Sequence, residues 1–132
     1  MRYLLFCISM FLLWECKDKN TAVVSPVHNN APVIHIFSPP YNNMMFSYDS
    51  TIDIKVKVTD DVNVKKVHIT MTKEGSTTPD MEFQKTIGKD SCVVDTSYTF
   101  NVNQVTYYKL KVEAWDNMDS LSTTTFGMHA MD

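Results

Sequence analysis

The residues that could perform catalysis are spread thinly over this 132-residue chain. An enzyme needs a nucleophile with a base, or an acid paired with a base, brought into one cleft. None of the four histidines has a neighbour at the spacing of a catalytic triad or a metal motif: His28, His35, His68 and His129. We expect His68 to be solvated on a polar strand face, and Cys92, next to Val93 and Val94, to be a buried thiol. The sequence therefore predicts a protein that is not an enzyme.

Acidic and amide side chains are concentrated in two segments that are rich in turn-forming residues. The first contains Asp60 and Asp61, and the second contains Asp116, Asn117 and Asp119. Calcium takes about six to eight oxygen ligands from carboxylates, amides and carbonyls, so the two segments would suit Ca²⁺ if the fold joined them. The favoured alternative is that these side chains only accept hydrogen bonds from the loop backbone in Asx-turns, with no cofactor.

Trp115 and Tyr107 are the candidate ligand-binding residues, because strand parity places both on the face opposite Ala114. An outward-facing Trp can stack on a sugar ring or anchor a protein interface. The alternative is that the indole lies over the aliphatic stems of neighbouring lysines. The expected partner is therefore an unidentified protein or glycan.

The N-terminus has the layout of an export signal. Arg2 precedes an apolar run of about a dozen residues, which is shorter than the ~20 residues of a membrane-spanning helix. We predict a signal peptide over residues 1–15. Residues 13–16 (Leu-Trp-Glu-Cys) resemble the lipobox of bacterial lipoproteins, although Glu15 stands where that family has Gly, Ala or Ser. The resemblance implies a lipid on Cys16 and a protein anchored to the outer membrane, on its periplasmic or its surface face.

The segment after the leader predicts a tether. Residues 16–31 are polar and contain Ser-Pro and Asn-Asn-Ala-Pro turn signals, so we place the folded domain at residues 32–132. With Cys7 in the leader and Cys16 lipidated, Cys92 has no disulfide partner. If Cys16 is not lipidated, a disulfide between Cys16 and Cys92 is the alternative.

From residue 32 onward the apolar residues alternate with a period of two, which is typical of half-buried β-strands. The alternation is strongest at 51–59 and 107–115. Weaker strands are predicted at 32–37, 44–48, 64–72, 81–87, 97–102 and 121–129. Turn residues separate them, among them 60–63 and 88–90. Seven or eight short strands predict an all-β fold, an immunoglobulin-like antiparallel β-sandwich.

Several motifs occur in an order that identifies a family resemblance. Ala-Pro-Val-Ile at 31–34 is followed by a strand ending in Asp60-Asp61, and Ala-Trp-Asp-Asn at 114–117 closes the penultimate strand. From residue 31 to about 129 the chain resembles bacterial immunoglobulin-like modules related to cadherin and fibronectin type III domains. The resemblance implies that both acidic loops, together with Asn29 and Asn30, lie at one pole of the sandwich.

Composition limits the partners further. The net charge is −3, and the only arginine is Arg2, so a mature chain would have no guanidinium group for nucleic-acid recognition. The resemblance implies a surface binding or adhesion module. A carbohydrate-binding accessory module and a structural subunit of an envelope complex are the alternatives.

Overall fold

The computed structural model describes residues 29–131 of the chain. All regular elements in this part are β-strands, which confirms the predicted all-β class. The strands are β1 (Val33–Ser38), β2 (Met44–Ser47), β3 (Thr51–Lys73), β4 (Met81–Thr99), β5 (Thr106–Asp116) and β6 (Leu121–Met131). Over the same residues, the structure contains no helix long and apolar enough to cross a membrane.

The strands form one curled sheet in the order β1-β3-β5-β6-β2, with β4 paired to β3. The sheet curls because β3 changes partner along its length. Residues 55–59 of β3 pair with β1, whereas residues 64–73 pair with β5. β4 pairs with β3 through both parts. We call these two parts the β1 half and the β5 half of the sheet.

Two predicted turns are bends within continuous strands. The predicted strands on either side of Asp60 are one strand, β3, and those on either side of Gly88 are one strand, β4. Asp60 Oδ1 accepts hydrogen bonds from the N–H groups of Val62 and Asn63, both at 2.8 Å, and Gly88 has a φ of 73°. The β3–β4 register shifts here without ending the ladder, as in a β-bulge. The described residues therefore form six strands, where the sequence predicted seven or eight.

The core lies between the two halves of the curled sheet. The inward residues of the alternating segments are buried: Ile52, Ile54, Val56, Val58, Tyr108, Leu110, Val112 and Ala114. Phe100 joins them, with ring centroids of Phe46, Tyr98 and Tyr108 at 5.4, 5.3 and 5.0 Å. Full burial of each large aliphatic side chain stabilises the fold by about 1.5–3 kcal/mol. Period-two alternation on both halves thus supplies the apolar faces that meet in this core.

The connection between β1 and β2 is held against β6. Asn42 Oδ1 accepts a hydrogen bond from the N–H of Gly127 at 2.6 Å, and the N–H of Asn43 donates to the Gly127 carbonyl at 2.8 Å. β2 then pairs with the end of β6 in parallel. A Cβ on Gly127 would lie 2.6 Å from Asn43 Oδ1, so a larger residue at this position would force the exposed Asn43 side chain to move.

The strands run between two ends of the molecule. The Asp116 end contains Asn29, the bend at 60–63 and the turn at 117–120. The Tyr107 end contains the turns at 74–80 and 100–105. The strand from Val64 to Lys73 joins the two ends, which at about 3.3 Å per residue places them roughly 30 Å apart.

Candidate functional site

Asp116 is the buried centre of the Asp116 end. Its Oδ1 accepts hydrogen bonds from the N–H groups of Met118 and Ser120 at 2.7 and 2.8 Å, and its Oδ2 accepts one from Asn29 Nδ2 at 2.7 Å. Burial by itself would raise the pKa of Asp116, but these hydrogen bonds outweigh burial and hold the pKa below its ordinary value. The carboxylate therefore closes the β5–β6 turn and binds the segment that enters β1.

The other predicted calcium ligands lie at the same end. Asp61 Oδ2 accepts a hydrogen bond from Asn30 Nδ2 at 2.9 Å, and Asp119 forms an ion pair with Lys65. Asn29 and Asn30, which the sequence assigned to the tether, are thus hydrogen-bonded to the domain. Asn117 is exposed.

The oxygens at this end are used mainly for turns and ion pairs. In residues 29–131 no three His, Cys, Asp or Glu side chains are arranged to hold a metal ion. Two buried oxygens in this part of the chain lack a hydrogen-bond partner, Asp60 Oδ2 and Asn29 Oδ1. Calcium binding by Asp60, Asp61, Asp116, Asn117 and Asp119 stays a prediction.

Trp115 is on the outer face of β5 and is partly buried there. Lys66 Nζ lies 3.9 Å from the centroid of the indole, and the ring of His68 lies 6.5 Å away. This is the lysine-covered arrangement that the sequence left open as an alternative. The indole face towards Lys66 is occupied within the chain, so Trp115 does not present that face to a ligand.

The sequence predicted a solvated His68, but the side chain of this residue is only 18% exposed. Its Nε2 lies 2.8 Å from Glu82 Oε1 on β4, and its Nδ1 lies 3.3 Å from Glu113 Oε2 on β5. Each ring nitrogen of His68 therefore faces a carboxylate on a neighbouring strand. The sequence could not show this arrangement, because the two glutamates come from the strands on either side of β3.

Tyr107 and Trp115 do not form one ligand-binding surface. They are eight residues apart on β5, which corresponds to about 26 Å along a strand. Tyr107 is 46% exposed, and the ring of His129 on β6 packs edge-on against it at 4.5 Å. The strand register Tyr107↔His129 creates this pair. Of the two aromatic candidates, Tyr107 is the more exposed, and ligand binding by Tyr107 and Trp115 stays a prediction.

A groove of about 340 Å³ lies beside Tyr107 at the Tyr107 end. It is lined by residues of β3, β5 and β6, by the turn after β3 and by Asn43. Of the polar residues that line the groove, the sequence predicted a binding role only for Tyr107. It predicted none for the others, such as Lys73, Glu74 and Lys109. Alternation along β5 places Tyr107 and Lys109 on one face of that strand. Which residues of β6 line the groove beside them depends on the register between β5 and β6, which the sequence does not give.

The outer edge of β4 is the second open surface. Within the described part of the chain, β4 pairs only with β3, so one side of this 19-residue strand has no strand partner. Val93 on this strand is 50% exposed. An unpaired strand edge presents backbone N–H and C=O groups that can pair with an extended segment of another chain.

Comparisons with known proteins support the fold and no activity. No family model matches the chain, and no curated protein matches it. A crystal structure of an engineered protein is 16% identical with a TM-score of 0.53, over 76% of this chain and 20% of the engineered one. The present chain thus matches about a fifth of that protein, and the likeness concerns the fold alone.

Two further solved structures have lower scores. A superoxide reductase (neelaredoxin) from Ignicoccus hospitalis is 9% identical with a TM-score of 0.49, over 78% of this chain and 82% of the reductase. A Niemann-Pick type C2 protein from the Japanese carpenter ant is 18% identical with a TM-score of 0.43, over 78% and 92%. We base no functional argument on either likeness.

Of the three cysteines, Cys92 lies within the described residues, and Cys7 and Cys16 lie outside them. Among residues 29–131, Cys92 on β4 has no disulfide partner, and it is half-buried where the sequence predicted a buried thiol. Burial raises its pKa, partly offset by a hydrogen bond with Val58 and the charge of Lys85. A raised pKa lowers the reactive thiolate fraction. The predicted leader and the lipidation of Cys16 lie outside the described residues.

Proposed function

We propose that this chain is an exported lipoprotein whose single immunoglobulin-like β-sandwich is a non-enzymatic binding or adhesion module for a protein partner. The outer edge of β4 is the observation that carries this proposal. Strand addition at an open edge obtains affinity from backbone hydrogen bonds and specificity from alternate side chains. The lipobox-like sequence at Cys16 supports attachment to the outer membrane.

The second half of β4, Ser91–Thr99, is the part best suited to strand pairing. Its exposed side chains are Ser91, Val93, Asp95, Ser97 and Thr99, which include one charge. Asp95 is 3.8 Å from Lys55 on the neighbouring strand. Charges and bulges are the features that protect edge strands from pairing, and this half has few of them.

The first half of β4 provides the contrast. It contains Glu82, Lys85, Lys89 and Asp90, and the positive-φ Gly88 bends the strand there. These features discourage pairing. We therefore assign the partner to Ser91–Thr99 alone, on the β1 half of the sheet.

Photo-crosslinking in the producing cells tests this surface. A photoreactive residue at Val93 should form an adduct with a discrete partner protein, whereas the same residue at Tyr41, which is 72% exposed on the β1–β2 connection, should not. Ser97→Lys should abolish the Val93 adduct, because lysine blocks an edge while its charge faces Asp53, the residue paired with Ser97. Adducts that form equally at Tyr41, or that survive Ser97→Lys in a folded protein, would contradict the proposal.

A further inference from the structure

The groove at the Tyr107 end is a second candidate binding surface, separate from the edge of β4. Its volume of about 340 Å³ lies within the range of roughly 300–1,000 Å³ that is usual for small-ligand sites. Gly127 on β6 stands opposite Lys109 on β5, and a Cβ on Gly127 would lie 2.6 Å from Asn43 Oδ1. Because Gly127 has no side chain, the amide of Asn43 lies against β6 and lines the groove.

Backbone pairing decides which groups beside the groove are free to bind. β5 is paired with β3 on one side and with β6 on the other, and the end of β6 is also paired with β2. An extended peptide adds to a sheet only at an unpaired strand edge, and β5 and β6 offer none here. A ligand at these two strands is therefore recognised through side chains.

Tyr107 supplies an aromatic surface in this groove. Its ring meets the ring of His129 at 72° with centroids 4.5 Å apart, and 46% of the residue is exposed. An aromatic ring with a polar tip suits a ligand that has an apolar face and polar edges. Tyr107 loses little conformational entropy on binding, because the contact with His129 already restricts its ring.

The lysine and glutamate side chains of the groove balance each other. Lys73 is paired with the inward residue Tyr108, and its Nζ lies 6.0 Å from the centroid of that ring, so its charge is directed away from the outer face. Lys109 and Glu74 remain, one positive and one negative. With no excess of lysine over glutamate, the groove favours a neutral ligand over an acidic one.

Hydroxyl and amide side chains provide most of the other polar groups that line the groove: Asn43, Thr72, Ser76 and Thr125. Each of these side chains can both donate and accept hydrogen bonds. The hydroxyls of a sugar also donate and accept, and the C–H groups of its ring form an apolar face for an aromatic side chain. A carbohydrate therefore matches the polar and the aromatic parts of the groove together.

We propose that this groove binds a neutral carbohydrate, a β-linked chain of glucose-like sugars. A pyranose ring whose hydroxyls are all equatorial presents a face made only of C–H groups, which is the face that a single exposed ring can cover. One such ring stacks on Tyr107, and its hydroxyls bond to Asn43, Glu74 and Thr125. This binding activity uses no residue of the β4 edge, so its failure would leave the proposal of a protein partner unchanged.

Calorimetric titration of the full chain, purified in a detergent without a sugar headgroup, tests the proposal. The probes are cellotriose, a galacturonic acid trimer as an acidic sugar, and triproline as a peptide that also presents apolar rings. Cellotriose should bind best of the three. Its affinity should change less than about twofold between roughly 50 and 500 mM salt, because a neutral ligand forms no ion pair that salt could screen.

Variants of Tyr107 test the aromatic contribution. Tyr107→Ala should weaken cellotriose binding about tenfold or more, equivalent to ~1.4 kcal/mol. Phe37→Ala, which removes a 57% exposed aromatic ring outside the groove, should leave the binding unchanged. Tyr107→Phe keeps the stacking ring and should retain most of the affinity, which also controls for loss of fold.

Thr125→Val tests the hydroxyl contribution, because valine keeps the shape of threonine and removes only the hydrogen-bonding group. It should weaken cellotriose binding about two- to tenfold, the usual effect of one hydrogen bond. Thr123→Val, on the same face of β6 but outside the groove, is the matched control and should bind like the native protein. The proposal is overturned if cellotriose does not bind, if the acidic trimer or triproline binds equally well, or if Tyr107→Ala binds like the native protein.

Discussion

Asp116 is a buried carboxylate whose charge stabilises the fold of this domain. Its hydrogen bonds lower its pKa below the value in the unfolded chain, so the ionised carboxylate of Asp116 stabilises the folded state. The stabilisation by Asp116 is fully present at pH values above the pKa of this residue in the unfolded chain. It is lost as the pH falls through the lower pKa of Asp116 in the folded protein. The relevant window is thus acidic, below about pH 4.

We predict that the native protein loses stability as the pH falls below about 4, and that Asp116→Asn is less stable at neutral pH but shows a smaller acid dependence. An amide at this position has no charge to strengthen the bond with Asn29, and its Nδ2 group faces the Nδ2 group of Asn29 unless the Asn29 amide turns over. Chemical denaturation at a series of pH values measures both effects. Asp53→Asn, at an exposed strand position, is the control, and an equal loss of stability in both variants would contradict the role assigned to Asp116.

At the scale of elements, the bends at Asp60 and Gly88 decide how the sheet closes. Each bend lets one strand contribute to both halves, so the β3–β4 pair continues from one half of the core to the other. The β1–β2 connection closes the opposite side through Asn42, Asn43 and Gly127. Asn43 lies so close to Gly127 that adding one methyl group at Gly127 tests this contact.

We predict that Gly127→Ala destabilises the domain by about 1 kcal/mol or less, below the range for overpacking a core, because the clashing atom is the tip of the exposed Asn43 side chain. The new Cβ would lie 2.6 Å from Asn43 Oδ1, which would have to move. Asn43→Gly removes that side chain, and glycine suits the φ of 61° at this position. The double variant Asn43→Gly/Gly127→Ala should therefore recover stability relative to Gly127→Ala in denaturant titrations, and failure to recover it would locate the cost elsewhere.

For the whole molecule, the contacts of Asn29 determine where the N-terminal segment meets the domain. Asn29 is bound to Asp116 and Ser120, so the chain enters at the Asp116 end. The groove lies at the Tyr107 end, about 30 Å away along β3. The point where the chain enters the domain and the groove are therefore at opposite ends of the domain.

We predict that Cys16→Ser releases the protein from the membrane fraction or leaves it unprocessed. Each buried methylene of an acyl chain contributes about 0.8 kcal/mol to membrane binding, so two or more chains hold the protein firmly. Cys92→Ser is the matched control and should remain in the membrane fraction, because Cys92 is on β4 within the folded domain. Fractionation followed by immunoblotting measures the distribution, and equal retention of both variants would refute the lipid anchor.

The sequence alone determined which side of the strongly alternating strands, at 51–59 and 107–115, faces the core. Ile54 and Leu110 could be assigned inward, and Lys55 and Lys109 outward, because successive residues of any strand point to opposite faces. This property is local and needs no knowledge of the neighbouring strand. The all-β class follows from the same alternation, repeated along the chain.

Only the tertiary structure decided which side chains meet across strands. His68 lies between Glu82 and Glu113, and Tyr107 lies beside His129, because strand order and register bring distant segments together. Likewise, Asp60 could be recognised as turn-forming, but whether the chain reverses or bends there depends on whether β4 continues its pairing through that point. A period of two excludes a one-residue slip in register, but it does not identify the partner strand, which depends on contacts between residues far apart in the sequence.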